Sequence, residues 1–262
     1  MINADSMQVY DTLQVLTARP SLADMQGIPH HLYGHVPASL LYSTGDWLRE
    51  VKSLIDRVRR QGQVPVIVGG TGLYFKALTG GLSDMPDIPG DVRGLLRARM
   101  AEEGTEALHA SLQALDPEMA QKLNSQDSQR ILRALEVVMV TGRSIAAFQG
   151  QAGEMIVDPA QAFKRIVLPE RPELYGRINR RFAAMLDQGA VEEVEALLRL
   201  DLSPAMPAMR AIGVSQIAAM LRGEMKRDEV IEKAATATRQ YAKRQMTWFR
   251  NQMDDSWERV GT

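Results

Sequence analysis

An α/β fold with a parallel sheet and a helical insertion is predicted by three observations. The first is alternation. An amphipathic helix over Ser43–Gln61 leads into the short apolar run Val64–Val68, then the turn Gly69-Gly70-Thr71-Gly72, then a second helix from Leu73 to Leu78. Helix, buried strand, glycine turn and helix in succession are the building unit of a parallel sheet. The second is a change of texture after Ser83, beyond which only helices are expected until about Phe163. The third is size: 262 residues, 45% of them hydrophobic, can bury a sizeable core.

Taken in order, Met1–Tyr10 (MINADSMQVY) reads as the end of a buried strand running into a loop. The helix over Ser43–Gln61 follows from the helical spacing of Trp47, Leu48, Val51, Leu54, Ile55 and Val58. Ser43 with Asp46 forms a capping-box pattern, and Gly62 suits the stop. In Val64–Val68, Pro65 is tolerable at a strand start. After the loop MPDIPGD come three helices, Val92–Met100, Glu106–Leu115 and Gln129–Val140. A second strand is expected over Phe163–Leu168, followed by a helix with Pro172 at its first position. The remainder reads as helical, ending in a long segment from Asp228 to about Asn251. The expected organisation is a core of residues 1–82 and 161–262, interrupted by a helical insertion over 83–160.

Composition narrows the function. No run of about 18 apolar residues predicts a membrane span, and the first residues do not read as a secretory leader. The absence of cysteine excludes disulfides, thiolate metal sites and a cysteine nucleophile. A cytoplasmic protein, and a monomer, are expected. The net charge of −1 would argue against a nucleic-acid partner. The local distribution argues for one. Between Lys233 and Met253 there is no acidic residue, whereas Lys233, Arg239, Lys243, Arg244 and Arg250 all lie there. Arg239, Lys243 and Arg250 are spaced to share a helix face, with Tyr241, Trp248 and Phe249 interleaved. Cations can hold phosphates while rings stack on unpaired bases; the same aromatic residues also suit a core.

Asp5 follows directly from the opening strand, where open α/β sheets place their ligands. It can accept a proton or hold a metal there, or simply cap a turn with Ser6. The Gly69–Gly72 turn exposes backbone N–H groups and lets a ligand approach, as a tight strand-to-helix turn also would. No GxxxxGK[ST] motif occurs in the chain. Gln129, Arg130 and Arg133 share one helix face, which can grip a phosphate or merely be solvated. His30, His31 and His35 cluster without a neighbouring acid or thiol, and a structural role is expected for them.

Four segments in this order, INADSMQVY, VGGTGLYFKAL, QRILRALEVV and TRQYAKRQMTWFRN, resemble the tRNA dimethylallyltransferase (tRNA isopentenyltransferase) family, and LTARP and PHHLYGH fit the same pattern. The resemblance runs almost from Met1 to about Trp257. It implies a P-loop-NTPase-like parallel sheet with a helical insertion. It implies transfer of a dimethylallyl group from dimethylallyl diphosphate to N6 of adenosine 37 in the anticodon stem-loop of tRNA, with Mg²⁺ assisting the diphosphate. On this resemblance Asp5 is the general base, and Thr71 and Arg93 lie near the reacting groups. Asp5, Ser6, Met7 and Gln8 touch the tRNA. So do Gln129, Arg130, Ile131, Leu132 and Arg133, the stretch from Arg210 to Ser215, and Lys243, Arg244 and Arg250. One departure stands out: the family's opening strand, GPTASGK[ST]-type phosphate loop and helix, a unit of roughly 30 residues, have no counterpart in this sequence. The expectation is a weakened activity. The competing readings are an adenylate prenyltransferase acting on free nucleotides, a non-catalytic RNA-binding protein, and a small-molecule kinase of similar core. The basic, aromatic last helix favours tRNA over a free nucleotide.

Overall fold

A computed structural model describes residues 1–83, 85–149 and 153–261. It is α/β and rich in helix, with two small parallel sheets. The chain forms two compact units, one of Met1–Thr79 with Ile156–Thr262 and one of Gly80–Met155.

In the first unit, β1 (Ile2–Asn3) pairs in parallel with β2 (Ile67–Val68), Ile2 opposite Ile67 and Asn3 opposite Val68. His31 bridges the other side of β1, so β2 is the outer strand among the described residues. The strand expected over Val64–Val68 is shorter than its apolar run. Pro65 brings no N–H, and β1 offers only two residues to pair with. Helix α2 (Thr44–Arg60) starts where predicted: Ser43 accepts from the Asp46 amide, and the Asp46 carboxylate reaches back to the Ser43 amide. Its buried face, Trp47, Val51, Leu54, Ile55 and Val58, packs on Ile2 and Ala4 together with Tyr74 and Leu78 of α3 (Gly72–Gly80). Trp47 and Tyr74 stack with ring centres 4.3 Å apart.

A second core in this unit joins Val9, Tyr10 and Leu13 to the carboxy-terminal helices. These are α8 (Arg171–Asp187), α9 (Ala190–Leu198), α10 (Val214–Leu221) and α11 (Arg227–Gln252). A short helix, α1 (Leu22–Met25), lies between the two stretches. The strand expected over Phe163–Leu168 is β3 (Arg165–Val167). Its parallel partner β4 (Glu258–Val260) carries no alternating apolar pattern and was not predicted.

The second unit is helical. Helix α4 (Gly90–Leu115) merges the two helices expected there, with Gly104 at φ 81° marking the break between them. Helices α5 (Pro117–Lys122) and α6 (Ser128–Thr141) close a core of Leu96, Leu108, Leu112, Ile131, Ala134 and Leu135. Helix α7 (Ala146–Gln149) follows. Among the described residues, no helix is long and apolar enough to cross a membrane.

Trp47 combines full burial with an indole N–H that donates to the Asn3 carbonyl at 2.8 Å. Trp47→Ala is expected to destabilise the protein by about 3–5 kcal/mol. Trp47→Phe keeps most of the packing and is expected to cost about 1–2 kcal/mol for the unpaired carbonyl. Chemical denaturation of the two variants checks the order.

Candidate functional site

The end of β1 is built around Asn3, a fully buried polar side chain. Its Nδ2 donates to the carbonyls of Asp5 and Leu32, both at 2.9 Å, and its Oδ1 accepts from the Asp5 amide at 2.8 Å. Strand pairing alone cannot turn the chain this sharply. The carboxamide substitutes for the missing ladder bonds and fixes where Asp5 emerges.

Asp5 then accepts from the Met7 amide at 2.8 Å. Burial pushes its carboxyl above the usual aspartate range, and the Met7 and Gln8 amides oppose that shift by favouring the ionised form. The carboxylate in turn raises the hydroxyl pKa of Tyr33, Tyr74 and Tyr241, for each of which burial is the larger cause. A half-buried carboxylate whose proton affinity is raised in this way suits the role of a general base.

The glycine turn lies against this strand end. The Thr71 amide donates to the Ala4 carbonyl at 3.0 Å. The Thr71 hydroxyl accepts from the Ser6 amide at 2.9 Å and donates to Ser6 Oγ at 3.2 Å. Thr71 thus pins the Asp5–Ser6 turn, with its hydroxyl already engaged. A Cβ on Gly69 would sit 2.1 Å from the Ala4 carbonyl carbon, and one on Gly72 would sit 2.1 Å from the Trp248 ring. These glycines are demanded by backbone-to-backbone and backbone-to-ring contact.

Helix α11 passes over the turn. Gln245 Nε2 donates to the Gly70 carbonyl at 2.8 Å, and Lys76 Nζ reaches Gln252 Oε1 at 2.8 Å. Along this helix Gln240, Lys243, Arg244, Thr247, Trp248, Asn251 and Gln252 line an open cleft of about 490 Å³. The Arg244 guanidinium lies 5.9 Å from the centre of the Tyr241 ring. Asp5 is not in the lining. It lies beside the Gly70 turn that Gln245 contacts, where a Cβ on Gly70 would be 3.6 Å from Asp5 Oδ2.

The first unit therefore gathers Asp5, Ser6, Met7, Gln8 and Thr71 at one sheet end, while Lys243 and Arg244 line the cleft along α11. Arg250 is exposed near the end of α11, outside the cleft lining. Arg239, expected on the same cationic face, is committed to α8: its guanidinium donates to Asn179 Oδ1 at 2.5 Å and to Thr236 Oγ1 at 2.7 Å. Arg210 is exposed in a short turn over Ala208–Arg210, just before the buried Ala211 and Gly213. In the second unit, Arg93 is half-buried in the first turn of α4. Gln129 and Arg130 are exposed at the start of α6, with Arg130 facing Asp127 at 3.4 Å. Leu132 is half-buried, and Arg133 pairs with Glu136 at 3.2 Å. Ile131 has no exposed surface, so its side chain is a packing residue.

The histidines are structural in place. His31 continues the sheet beside Ile2, His30 packs on Tyr33, and His35 faces Glu50 at 3.0 Å. Among the described residues, no three His, Asp or Glu side chains converge as metal ligands. The donor set does not fit Mg²⁺ held by this chain's side chains alone. Asn3, Tyr33 and Gln245 join the site without having been singled out from the sequence, whereas Tyr241 had been picked out among the aromatics of the last helix. Asn3 alone left a signal, a polar residue at the end of an apolar strand two positions before a candidate base.

Residues 8–252 match the family model described as IPP transferase. A tRNA dimethylallyltransferase of Rhizobium etli is 67% identical over 260 residues, 99% of this chain and 88% of that protein. One of Agrobacterium fabrum is 66% identical, covering 99% and 87%. Among solved structures, the full-length tRNA isopentenylpyrophosphate transferase of Bacillus halodurans is similar with a TM-score of 0.66 at 32% identity, over 99% of this chain and 80% of that one. A eukaryotic dimethylallyltransferase captured acting on tRNA is similar with a TM-score of 0.77 at 26% identity, over 99% and 66%. With the model spanning nearly the whole sequence and close relatives aligned from end to end of it, the chain belongs to the IPP transferase family.

Proposed function

We propose that Asp5 is the base of a prenyl transfer to RNA, with the basic face of α11 holding the acceptor. The chain is a tRNA dimethylallyltransferase: it transfers a dimethylallyl group to tRNA. The finer reading is that dimethylallyl diphosphate is the donor and N6 of adenosine 37, in the anticodon stem-loop, is the acceptor. In the reaction the N6 lone pair attacks the terminal allylic carbon. The new C–N bond forms as the C–O bond to diphosphate breaks, and the displaced electron pair leaves with the diphosphate. The proton lost from N6 passes to the Asp5 carboxylate. An exocyclic aromatic amine is a poor nucleophile, so removing that proton as bonding develops lowers the barrier. The adenine must leave its stack to reach the base. Arg93 supplies a cation for the departing diphosphate. Ser6, Met7, Gln8 and Arg210, with Lys243, Arg244 and Arg250, contact the RNA. Gln129, Arg130, Leu132 and Arg133 do so from the second unit.

The observation that carries this reading is the partly desolvated Asp5 beside α11, whose stretch from Lys233 onward has no acidic residue and bears Tyr241, Lys243, Arg244 and Trp248. Tyrosine and tryptophan rings take unpaired bases, and the cations take the phosphates beside them. The test is a transfer assay with labelled dimethylallyl diphosphate, comparing an anticodon stem-loop RNA with free adenosine nucleotides. Label entering the RNA is expected. Label entering only the free nucleotide would overturn the assignment of acceptor.

Asp5→Asn is expected to lower kcat by about 10²–10⁴-fold without lowering stability at neutral pH. A carboxyl whose folded pKa is raised contributes stability below its unfolded pKa, and that contribution is lost as pH rises through the folded value. At neutral pH its charge is therefore a cost that asparagine removes. For the same reason kcat/KM of the unaltered protein is expected to fall on acidification with a midpoint above the ordinary aspartate range. A pH–rate profile checks the sign. Lys243→Ala and Arg244→Ala are each expected to weaken RNA binding and to flatten the log–log salt dependence by about 0.7 per lost phosphate contact. An unchanged slope in both variants would remove α11 from the interface. Gly72→Ala is expected to weaken RNA binding by displacing Trp248, which fluorescence of that residue would report.

A further inference from the structure

Glu193 lies in the first turn of α9, and its carboxylate takes three consecutive backbone amides. Oε1 accepts from Gln14 at 2.9 Å and Val15 at 2.7 Å, and Oε2 accepts from Leu16 at 3.0 Å. Successive amides aimed at one anion form a nest, and bonds to an ionised acceptor are stronger than those between neutral groups. The segment so held is otherwise a loop. It folds back on itself through Thr17 Oγ1 to the Leu13 carbonyl at 2.7 Å and the Arg19 amide to the Gln14 carbonyl at 2.9 Å. Ala18 takes φ 54°, a left-handed conformation that a non-glycine residue holds only when its surroundings impose it.

The loop's own carbonyls then capture Gln8. Gln8 Nε2 donates to the Thr17 and Ala18 carbonyls, both at 3.0 Å. Carbonyls only accept, so they determine which end of the amide is nitrogen. Both N–H groups are used, and the oxygen makes no hydrogen bond among the described residues. Gln8 is thereby presented as an acceptor, three residues from Asp5. The Arg19 guanidinium braces the same loop by donating to the Asp11 carbonyl at 3.1 Å, and it crosses directly over Gly34.

We propose that Glu193 is a positioning residue for RNA. It holds the loop over Gln14–Ala18 so that the Gln8 carboxamide oxygen faces the acceptor strand and selects a nucleobase N–H. Glu193 itself touches no RNA. The inference rests on the RNA-transfer reading above and adds to it a residue remote in sequence from every motif of the site.

The test is a double-mutant cycle on equilibrium binding of an anticodon stem-loop RNA, using the full chain. Glu193→Gln and Gln8→Ala are each expected to weaken binding about tenfold, the worth of one hydrogen bond to a base. The double variant is expected to be no weaker than either single one, because Gln8 without its loop no longer contributes. Lys243→Ala serves as the control. Its effect is expected to multiply with that of Glu193→Gln, since a loosening of the whole fold would spoil that contact too. Multiplying effects of Glu193→Gln and Gln8→Ala, or unchanged affinity in Glu193→Gln, would overturn the proposal. If Glu193→Gln does not fold, Glu193→Asp, which keeps the charge and shortens the reach, enters the same cycle with the same criteria. Failure of the unaltered chain to bind the RNA would instead refute the RNA-transfer reading.

Discussion

The buried carboxamide of Asn3 is the constraint on which the candidate site depends. It lies where two requirements meet. The strand must end, and a carboxylate two residues on must be held partly out of water. An apolar side chain would leave the Asp5 amide and the Leu32 carbonyl unpaired in the interior, at roughly 1–3 kcal/mol for each group. An aspartate would bring a second charge beside Asp5 and push both carboxyls toward the neutral form. Asparagine supplies two donors and an acceptor without charge, and all three are used toward the chain turn. Its backbone carbonyl meanwhile receives the Trp47 indole, which ties the strand end to the most deeply buried face of α2.

From this point the site is assembled by close approach rather than by many side-chain bonds. Gly69 lies against the Ala4–Asp5 peptide, and Gly72 lies against the Trp248 ring. The small residues let a sheet end, a turn and a long helix share a space that no Cβ could enter. Gln245 then reads the Gly70 carbonyl directly, so the position of α11 is set by backbone. The electrostatics follow from this packing. Asp5 is partly desolvated and close enough to Tyr33 and Tyr241 for its charge to raise their hydroxyl pKa values, while Lys243 and Arg244 remain in the open cleft. One packing arrangement thus produces a carboxylate with little water around it and cations with plenty.

Much of the fold was legible because its signals are local. The period of Trp47, Val51, Leu54, Ile55 and Val58 and the Ser43–Asp46 box define α2 without reference to anything else. Gly104 separates two helical periods in the sequence and carries the break in α4. The strands were less legible. Their length is set by how many residues the partner offers, which is why the run from Val64 yields only Ile67–Val68. Strand β4, three residues of mixed polarity, exists because β3 pairs with it. In the site, Asp5 and the glycine turn could be picked out from their place after strands. Gln245, Tyr33 and Glu193 could not, since their roles depend on neighbours dozens of positions away. The helix face assigned to Arg239, Lys243 and Arg250 shows the limit of periodicity. Spacing places three cations along a helix, but Asn179 on α8 takes one of them.

Gly34 has φ 54°, and a Cβ built there would fall 1.2 Å from Arg19 Nη1. The two positions are therefore bound together in the family's drift. A side chain entering at 34 must displace the Arg19 guanidinium or meet a shorter residue at 19, and in either case the left-handed backbone charges every residue but glycine for its presence. Displacing or shortening 19 removes the brace on the Asp11 carbonyl, so a side chain at 34 costs that bond as well as the backbone strain. Covariation between these two columns, or the joint invariance of both, is the mark this contact should leave on the relatives.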